Sequence, residues 1–224
     1  MVSARGERGE QTRAMQRRST ERDFSGYNAA QAERPVRPLA RAAVSLALEG
    51  HRAAGQVPGA LGSAPAPVAL ELGSGAGVEA RFLAENGFQV HSYDVDPSVA
   101  STFVELARSL PISHTTTDLA QVEAFPAADL VISCATLPFV RRDAFPVLWN
   151  RIRDALRPGG ILAVDLFGDR DDWAGTDGTF LGRDEVEQLL RCADVLELVE
   201  EEREGRSFSG PKHWHTYRVL ARRI

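Results

Sequence analysis

Short apolar runs alternate with amphipathic stretches along the chain from residue 68 onward. The runs have the length of buried strands, and the stretches between them repeat apolar residues at helical spacing. The runs predict five strands, at residues 68–72, 88–94, 112–116, 129–134 and 161–166. The stretches predict helices at residues 78–86, 97–110, 145–156 and 183–191. Strands that alternate with helices in this way indicate βαβ units and a parallel sheet.

Two further strand patterns near the end of the sequence have no helix between them. They cover residues 195–201 and 213–221 and are separated by a glycine-containing turn. Because so short a connection joins antiparallel neighbours, the last strand should run antiparallel to the others. The predicted fold class is therefore α/β: a Rossmann-like, seven-stranded, mostly parallel sheet with an antiparallel last strand and helices on both faces.

The N-terminal part of the chain has a different pattern. Residues 1–22 are rich in arginine and polar residues, which predicts an extension that is disordered or ordered by a partner. Apolar residues at helical spacing between Val36 and Ala47 predict a helix, and the Gly- and Pro-rich residues 55–67 predict a linker. We therefore divide the chain into the extension at 1–22, a helical segment with its linker at 23–66, and an α/β domain at 67–224.

Composition and charge narrow the class of protein. The 224 residues are 43% hydrophobic and 25% charged, as in a globular domain with its own core. The net charge of −5 argues against a nucleic-acid partner. No apolar run is long enough for a membrane span and no secretory signal is recognisable, so we expect a cytoplasmic monomer or homodimer without a membrane partner. Cys134 and Cys192 make no disulfide framework or zinc pattern, and we expect no metal site.

Three glycines lie between the first strand and the first helix of the α/β domain. Gly73, Gly75 and Gly77 permit a tight turn, a close backbone approach to a ligand and close packing of the helix on the strand. Asp94 ends the second strand, where a carboxylate can accept both hydroxyl protons of a ribose. Ligands of open parallel sheets bind at the carboxyl ends of the strands near this point. The pattern predicts a nucleoside-type ligand.

The glycine spacing narrows the choice of nucleoside. A dinucleotide fingerprint, G-x-G-x-x-G, would require a glycine where Val78 stands. With Glu71 two residues before Gly73, the segment resembles motif I of class I S-adenosylmethionine-dependent methyltransferases, E/D-x-G-x-G-x-G. The resemblance implies S-adenosyl-L-methionine as cofactor and S-adenosyl-L-homocysteine as product. It implies cofactor contacts by Glu71, Gly73, Gly75, Gly77, Asp94 on the ribose, Val95 on the adenine ring, and Asp118 and Leu119 at the adenine amino group. A helix N-cap is the alternative role for Asp118.

Other segments resemble bacterial small-molecule methyltransferases of the tellurite-resistance-protein-B-like group. The more specific ones are residues 167–175, F-G-D-R-D-x-W-A-G with Asp172 at x, and residues 211–215, P-K-H-W-H. Residues 34–38 resemble the N-terminal lid segment of that group. The resemblance therefore implies that segment 23–66 closes over the cofactor, with Tyr27 or an arginine such as Arg37 near the methionine carboxylate. Asp165 departs from the pattern, because an uncharged residue is expected in that strand.

Methyl transfer from a sulfonium is an in-line displacement, so the protein mainly positions the reactants and excludes water. The segments after strands four and five and the start of the antiparallel strand should meet at the ligand edge. They supply candidate catalytic residues, His213, His215 and Asp169, and candidate substrate-binding residues, Phe139, Asp171, Trp173, Lys212 and Trp214. Histidine suits a base because it titrates near neutrality, but a base is required only for a protonated, poorly acidic acceptor.

The leading hypothesis is methylation of a small molecule on an oxygen, nitrogen, sulfur or carbon nucleophile. Two alternatives stay open at this point: a non-methylating enzyme of the same fold that uses S-adenosylmethionine, and a catalytically degenerate cofactor-binding subunit. The intact glycine turn and the aspartates Asp94 and Asp118 count against the degenerate subunit. The methyl acceptor does not follow from the sequence.

Overall fold

The computed structural model describes residues 24–53 and 65–224. The extension predicted at residues 1–22, and most of the linker predicted at 55–67, lie outside the described residues. Within the described ranges, no helix is both long and apolar enough to cross a membrane.

Helices precede the sheet and then alternate with its strands. Helices α1 (Ser25–Gln31) and α2 (Pro38–Ala53) come first. The strands are β1 (Val68–Leu72), β2 (Gln89–Asp94), β3 (Ile112–Thr116), β4 (Ala128–Ser133), β5 (Leu156–Gly168), β6 (Phe180–Leu181), β7 (Ala193–Ser207) and β8 (Gly210–Arg223). The remaining helices are α3 (Val78–Glu85), α4 (Ala100–Leu106), α5 (Phe145–Ala155) and α6 (Arg183–Leu189). Short 3-10 turns cover Pro97–Val99, Leu119–Gln121 and Leu137–Phe139.

The strands form one sheet in the order β3-β2-β1-β4-β5-β8-β7, with β6 beside β5. Strands β1 to β5 are parallel, and β8 runs antiparallel to both β5 and β7. The structure thus confirms the predicted mostly parallel sheet with an antiparallel last strand. It adds an eighth strand, β6, whose two residues are too few to show a strand period in the sequence.

Several element boundaries differ from the prediction. Strand β5 begins at Leu156 rather than at residue 161, because it continues along β4 through a register shift between Ala128 and Leu130. Helix α4 is shorter than the predicted 97–110, since Pro97–Val99 form a 3-10 turn capped by the Asp96 side chain. Strands β7 and β8 extend beyond the predicted ends because they pair with each other up to a tight turn.

Helices cover both faces of the sheet, as predicted. On the first face, Leu70 of β1 packs in a core with α5 and α6 that includes Trp149. On the second face, the neighbouring Ala69 packs in a core with α2, α3 and α4 that includes Leu39 and Phe103. Successive strand residues point to opposite faces, so a strand buried on both sides must be apolar throughout.

The parallel strands end at one edge of the sheet, which we call the carboxyl edge. Strand β8 pairs with β5 between Thr216 opposite Phe167 and Arg222 opposite Ile161. The β7–β8 hairpin continues past this edge, to the pairing of Ser207 with Gly210. Residues 212–215 therefore begin the antiparallel strand beside the carboxyl edge, as the sequence predicted.

Candidate functional site

The glycine turn between β1 and α3 lies against the segment that follows β4. Gly73 has a φ of 81°, and a Cβ there would lie 1.8 Å from Oγ1 of Thr136. Gly77 has a φ of 76° at the N-cap of α3, where a Cβ would lie 3.0 Å from Cδ1 of Leu106. Any other residue at these two positions would be strained and would push the turn away from β4 and α4. The glycines bring the turn to the centre of the carboxyl edge.

Asp94 connects the end of β2 to the glycine turn. Its Oδ2 accepts a hydrogen bond of 2.7 Å from the backbone N–H of Gly75, and its Oδ1 accepts one of 2.9 Å from that of Asp96. The structure thus brings the predicted ribose acid to the glycine turn. Its contact with a ribose stays a prediction.

Glu71, at the start of the motif, is buried beneath this turn. Its Oε2 has no hydrogen-bond partner within the described chain. Burial, together with the charges of Glu79 and Asp94, raises the pKa of Glu71 well above its usual range, although Arg34 and Arg37 act in the opposite direction. The turn therefore holds a polar atom that lacks a partner, as expected where a polar ligand binds.

The lid predicted from residues 23–66 is anchored on Glu79, in the first turn of α3. Arg34 donates to both oxygens of this carboxylate, and the backbone N–H of Arg37 donates to Oε1 at 3.1 Å. Burial alone would raise the pKa of Glu79, but the hydrogen bonds and charge of Arg34 outweigh it and the pKa is lowered. Arg37, expected near the cofactor, thus lies beside the glycine turn with Glu79 as its partner. The role of Glu79 was not predicted from the sequence, although an acid directly after the glycine turn is a visible signal.

Helix α1 lies directly on the glycine turn. Nδ2 of Asn28 donates a hydrogen bond of 2.8 Å to Oδ2 of Asp96. A Cβ added to Gly75 would lie 2.9 Å from Oδ1 of Asn28. Asn28 was not singled out in the sequence, because its partners lie far away in the chain. The ring of Tyr27 packs edge-on against Phe208 at the tip of the β7–β8 hairpin, with 5.8 Å between centroids. The contact of Tyr27 with a cofactor stays a prediction.

The predicted adenine-binding residues lie at the carboxyl ends of β2 and β3. Oδ1 of Asp118 accepts a hydrogen bond of 2.9 Å from the N–H of Ala120, so this aspartate caps the 3-10 turn that follows. Leu119 is buried in the core of the first face, and Val95 is half-buried directly after Asp94. The capping role that was the alternative for Asp118 is present, and its contact with adenine stays a prediction.

The three segments expected to form the acceptor side do meet. The ring centroid of Trp173 lies 6.0 Å from that of Phe139 and 5.8 Å from that of Trp214. Phe167 of β5 and Phe24, just before α1, continue the same contacts. We call the five rings the aromatic wall: Phe24, Phe139, Phe167, Trp173 and Trp214. The wall joins the lid to the loops that follow β4 and β5 and to the start of β8.

Both candidate histidines have acidic partners. His215 is fully buried; its Nδ1 lies 3.1 Å from the N–H of Arg170, and its Nε2 lies 3.0 Å from Oε1 of Glu200. Nη2 of Arg170 also lies 3.2 Å from Nε2. Nδ1 of His213 lies 2.7 Å from Glu204, whose hydrogen bond raises the pKa of the histidine.

Asp169, the third catalytic candidate, is exposed. Its Oδ1 lies 3.5 Å from Nη1 of Arg170 and 3.5 Å from Nδ1 of His215. The catalytic roles of the three residues stay predictions. Within the described residues, one group of three side chains has metal-ligand geometry: Glu200, Glu202 and His215. Arg170 already donates to both glutamates, at 2.8 and 2.6 Å, so the trio has a cationic partner.

Lys212 and Asp171, expected to contact substrate, bind each other. Nζ of Lys212 lies 2.5 Å from Oδ2 of Asp171, and the two side chains are 1% and 0% exposed. Burial lowers the pKa of Lys212, although its hydrogen bond to Asp171 acts in the opposite direction. The pair ties the loop after β5 to the first residues of β8. Direct contact of either side chain with substrate stays a prediction.

Comparisons with known proteins agree with this fold. The family model described as "Methyltransferase domain" matches residues 70–164, from β1 to β5. TehB from Haemophilus influenzae superposes with a TM-score of 0.63 at 18% identity, covering 79% of this chain and 62% of TehB. The 1,6-didemethyltoxoflavin-N1-methyltransferase of Burkholderia thailandensis gives 0.56 at 18% identity, covering 84% of this chain and 79% of that one. Magnesium protoporphyrin IX methyltransferase from Synechocystis PCC 6803 gives 0.60 at 12% identity, with complete coverage of both chains. No curated protein sequence matches the chain significantly.

The family match covers the part of the chain that carries the glycine turn. Residues 70–164, which include the glycine turn, match a methyltransferase domain, and the fold around them is similar to that of solved methyltransferases. The Burkholderia thailandensis enzyme holds S-adenosylhomocysteine, and the Synechocystis enzyme holds S-adenosylmethionine. The fold of this chain is similar to that of TehB, as the resemblance to the tellurite-resistance-protein-B-like group predicted. The chain spans 62% of the length of TehB.

The residues at the carboxyl edge fit such a cofactor. Glu71 offers a buried oxygen without a partner, and Asp94 offers a carboxylate at the glycine turn. The turn itself has no room for a Cβ at Gly73. The site thus combines polar groups that suit a nucleoside and an amino acid with a glycine turn that packs tightly against Thr136.

Proposed function

We propose that this protein is a class I S-adenosylmethionine-dependent methyltransferase that acts on a small-molecule acceptor bound at the aromatic wall. S-adenosyl-L-methionine would be its cofactor and S-adenosyl-L-homocysteine its product. The observation that carries the proposal is the convergence of three chain segments beside the glycine turn. Thr136, in contact with Gly73, directly precedes the turn that holds Phe139. The acceptor side and the cofactor side are therefore neighbours at one edge of the sheet. The small molecule named for the Burkholderia thailandensis enzyme supports an acceptor of this size.

When bound, the cofactor supplies a methyl group on a sulfonium: the acceptor's electron pair forms the bond to the methyl carbon, and the carbon–sulfur pair stays on sulfur. The chain's part is to hold the two reactants in line and to keep water out. Asp94 would bind the ribose hydroxyls, Glu71 the amino-acid end and Asp118 the adenine. Helix α1 and Arg34, fixed on Asp96 and Glu79, would close the lid over them.

A proton must leave the acceptor when its nucleophile is protonated. The sequence candidates for a base are His213, His215 and Asp169. Of the two histidines, His213 is the accessible one, because its side chain is 30% exposed whereas His215 is fully buried. It lies between Lys212 and Trp214 in β8 and therefore points to the other face of the strand, toward Glu202 and Glu204. An acceptor that is already deprotonated would need no base, and positioning alone would then carry the reaction.

We further propose the division into a lid segment at 23–66 and a catalytic domain at 67–224, and a cytoplasmic monomer or homodimer without a nucleic-acid or membrane partner. The matched family region, 70–164, lies inside the proposed catalytic domain. The net charge of −5 supports the absence of a nucleic-acid partner.

The decisive experiment is an acceptor screen with radiolabelled S-adenosylmethionine and purified full-length protein, followed by mass spectrometry of the product. The expected result is a small molecule that gains one methylene unit in mass, with stoichiometric S-adenosylhomocysteine. Parallel calorimetry with S-adenosylhomocysteine and with NAD should show binding of the first only. Conversion of an acceptor without a gain of a methyl group would instead favour a non-methylating enzyme of the same fold.

A further inference from the structure

The only lysine of the sequence lies inside the aromatic wall. Nζ of Lys212 is 3.6 Å from the ring centroid of Trp214, 4.1 Å from that of Trp173 and 4.8 Å from that of Phe167. All other basic residues of the chain are arginines or histidines. An ammonium is compact enough to touch three ring faces at once, which a planar guanidinium cannot do.

Asp171 fixes this lysine in place. Besides the ammonium, its carboxylate accepts hydrogen bonds from the backbone N–H of Trp173 at 3.0 Å and from that of His215 at 3.2 Å. Three donors from two chain segments thus hold one buried carboxylate. The ammonium is held both by this carboxylate and by the ring faces, so Lys212 is a built part of the wall.

The rings around the lysine retain surface for a ligand. Trp173 and Trp214 are half-buried, as are Phe139 and Phe24 further along the wall. Half-buried rings at the carboxyl edge offer apolar faces on which a flat molecule can stack. The turn that contains Phe139 follows Thr136, which contacts Gly73, so such a molecule would lie next to the cofactor turn.

Electron-rich ring faces also attract cations, and a set of several rings is the usual receptor for an onium group. In this protein the ammonium of Lys212 occupies the position among the rings where such a group would bind. A second cation at the wall would meet the ammonium of Lys212, and Asp171 is already bound to that ammonium and to two backbone donors. The ammonium therefore fills the place among the rings that a ligand cation would need, and a cation beside it would also meet a like charge that Asp171 offsets only in part.

We propose that the acceptor is a planar aromatic or heteroaromatic compound that is neutral or anionic, and that Lys212 is the residue that excludes cationic acceptors. This inference rests on the proposed function, because it assigns the wall to the acceptor. It treats Lys212 as a specificity-determining residue that occupies the cation position of the wall, with Asp171 as its positioning partner.

The test compares three probes built on one ring system: quinoline-3-carboxylate, quinoline-3-carboxamide and the N-methylquinolinium-3-carboxamide cation. Each is titrated into full-length protein saturated with S-adenosylhomocysteine, and the quenching of tryptophan fluorescence is followed. We expect the neutral and anionic probes to bind and the cation to bind at least tenfold more weakly. Equal or tighter binding of the cation by the wild-type protein would overturn the proposal without any variant.

The double variant Lys212→Met with Asp171→Asn removes both charges and leaves no unpaired ion. We expect it to bind the cation at least tenfold more tightly than the wild type, with little change for the neutral probe. Arg203→Met is the matched control, because Arg203 is an exposed cation whose Cζ lies 5.5 Å from the ring of Trp214. It should leave the preference among the probes unchanged. A folded double variant with wild-type preference, or an Arg203→Met variant that gains the cation, would contradict the role of Lys212.

Calorimetry with S-adenosylhomocysteine separates this inference from the proposed function. If the cofactor product does not bind, the proposed function fails. If it binds and none of the quinoline probes quenches the tryptophans, the function stands and the assignment of the wall to a planar acceptor is wrong.

Discussion

The imidazole of His215 lies directly on the backbone of Gly168, where a Cβ would be 1.9 Å from Nδ1. Gly168 is the last residue of β5, and His215 is buried at the start of β8. Glycine is therefore required here for space. The absence of a side chain at Gly168 lets the loop after β5 approach the hairpin closely, beside the pair of Lys212 and Asp171 that also joins them.

Gly168→Ala should destabilise the protein, because the added methyl group must displace the buried ring. Overpacking of this kind costs typically ~1–3 kcal/mol. Thermal unfolding followed by circular dichroism measures the change. Gly50→Ala is the control, since a Cβ there meets nothing within 4 Å, and it should leave the protein as stable or slightly more so. An unchanged melting temperature for Gly168→Ala would mean that the imidazole is not held where the structure places it.

Asp94→Ala should weaken binding of S-adenosylhomocysteine by roughly ten- to a hundredfold, the loss of one charge-assisted hydrogen bond of ~1.5–3 kcal/mol. Isothermal titration calorimetry gives the affinity directly. Asp143→Ala removes an exposed acid paired with Arg141 and should bind as the wild type does. Equal affinities of the two variants would remove Asp94 from the cofactor site.

Glu79 should make the stability of the lid region depend on pH. Its pKa is lowered in the folded state, so its stabilising effect is present above the usual carboxyl range and is lost as the pH falls through the lowered value. Melting temperatures of the wild type and Glu79→Gln should differ most near neutrality and converge in acid. Glu105→Gln, which affects an exposed pair with Arg108, should differ little from the wild type at any pH. A constant gap between Glu79→Gln and the wild type across the acid range would contradict an ionised Glu79.

His213→Gln tests the proposed base. If His213 takes a proton from the acceptor, turnover should fall by ~10²–10⁴ while the affinity for S-adenosylhomocysteine stays constant. The ring is partly exposed, so the substitution should cost little stability. His51→Gln is a matched control, since His51 is paired with Asp129 at the opposite edge of the sheet. Wild-type turnover in His213→Gln would show that His213 does not act as a base.

The features that could be predicted from the sequence are those that depend on residues close together in the chain. The apolar periodicity predicted β1 and α3, and the spacing of the glycines predicted the turn at Gly73. The short connection between the last two strands predicted that β8 runs antiparallel. The partner of Arg34 and Arg37 was missed because Glu79 lies more than forty positions away in the sequence, and only the folded lid brings them together. Short β6 was missed because two residues have no period.

The acceptor side shows the same limit. The topology predicted that the segments around Phe139, Trp173 and Lys212 would share one edge. It did not predict that Lys212 would bind Asp171 or that His215 would be fully buried, because both depend on side-chain packing between distant segments. Residues chosen for their chemistry alone therefore included some whose observed contacts are structural.

Because the only lysine of the chain is buried, its chemical modification can report when the carboxyl edge opens locally. Amine-reactive esters modify side-chain amines that solvent can reach, and the folded chain keeps its single lysine amine 1% exposed. Acylation of Lys212 must therefore wait until the loop after β5 separates from the hairpin. The rate at which that one adduct accumulates would measure how often the carboxyl edge opens, and how much a bound ligand slows it, without any engineered label.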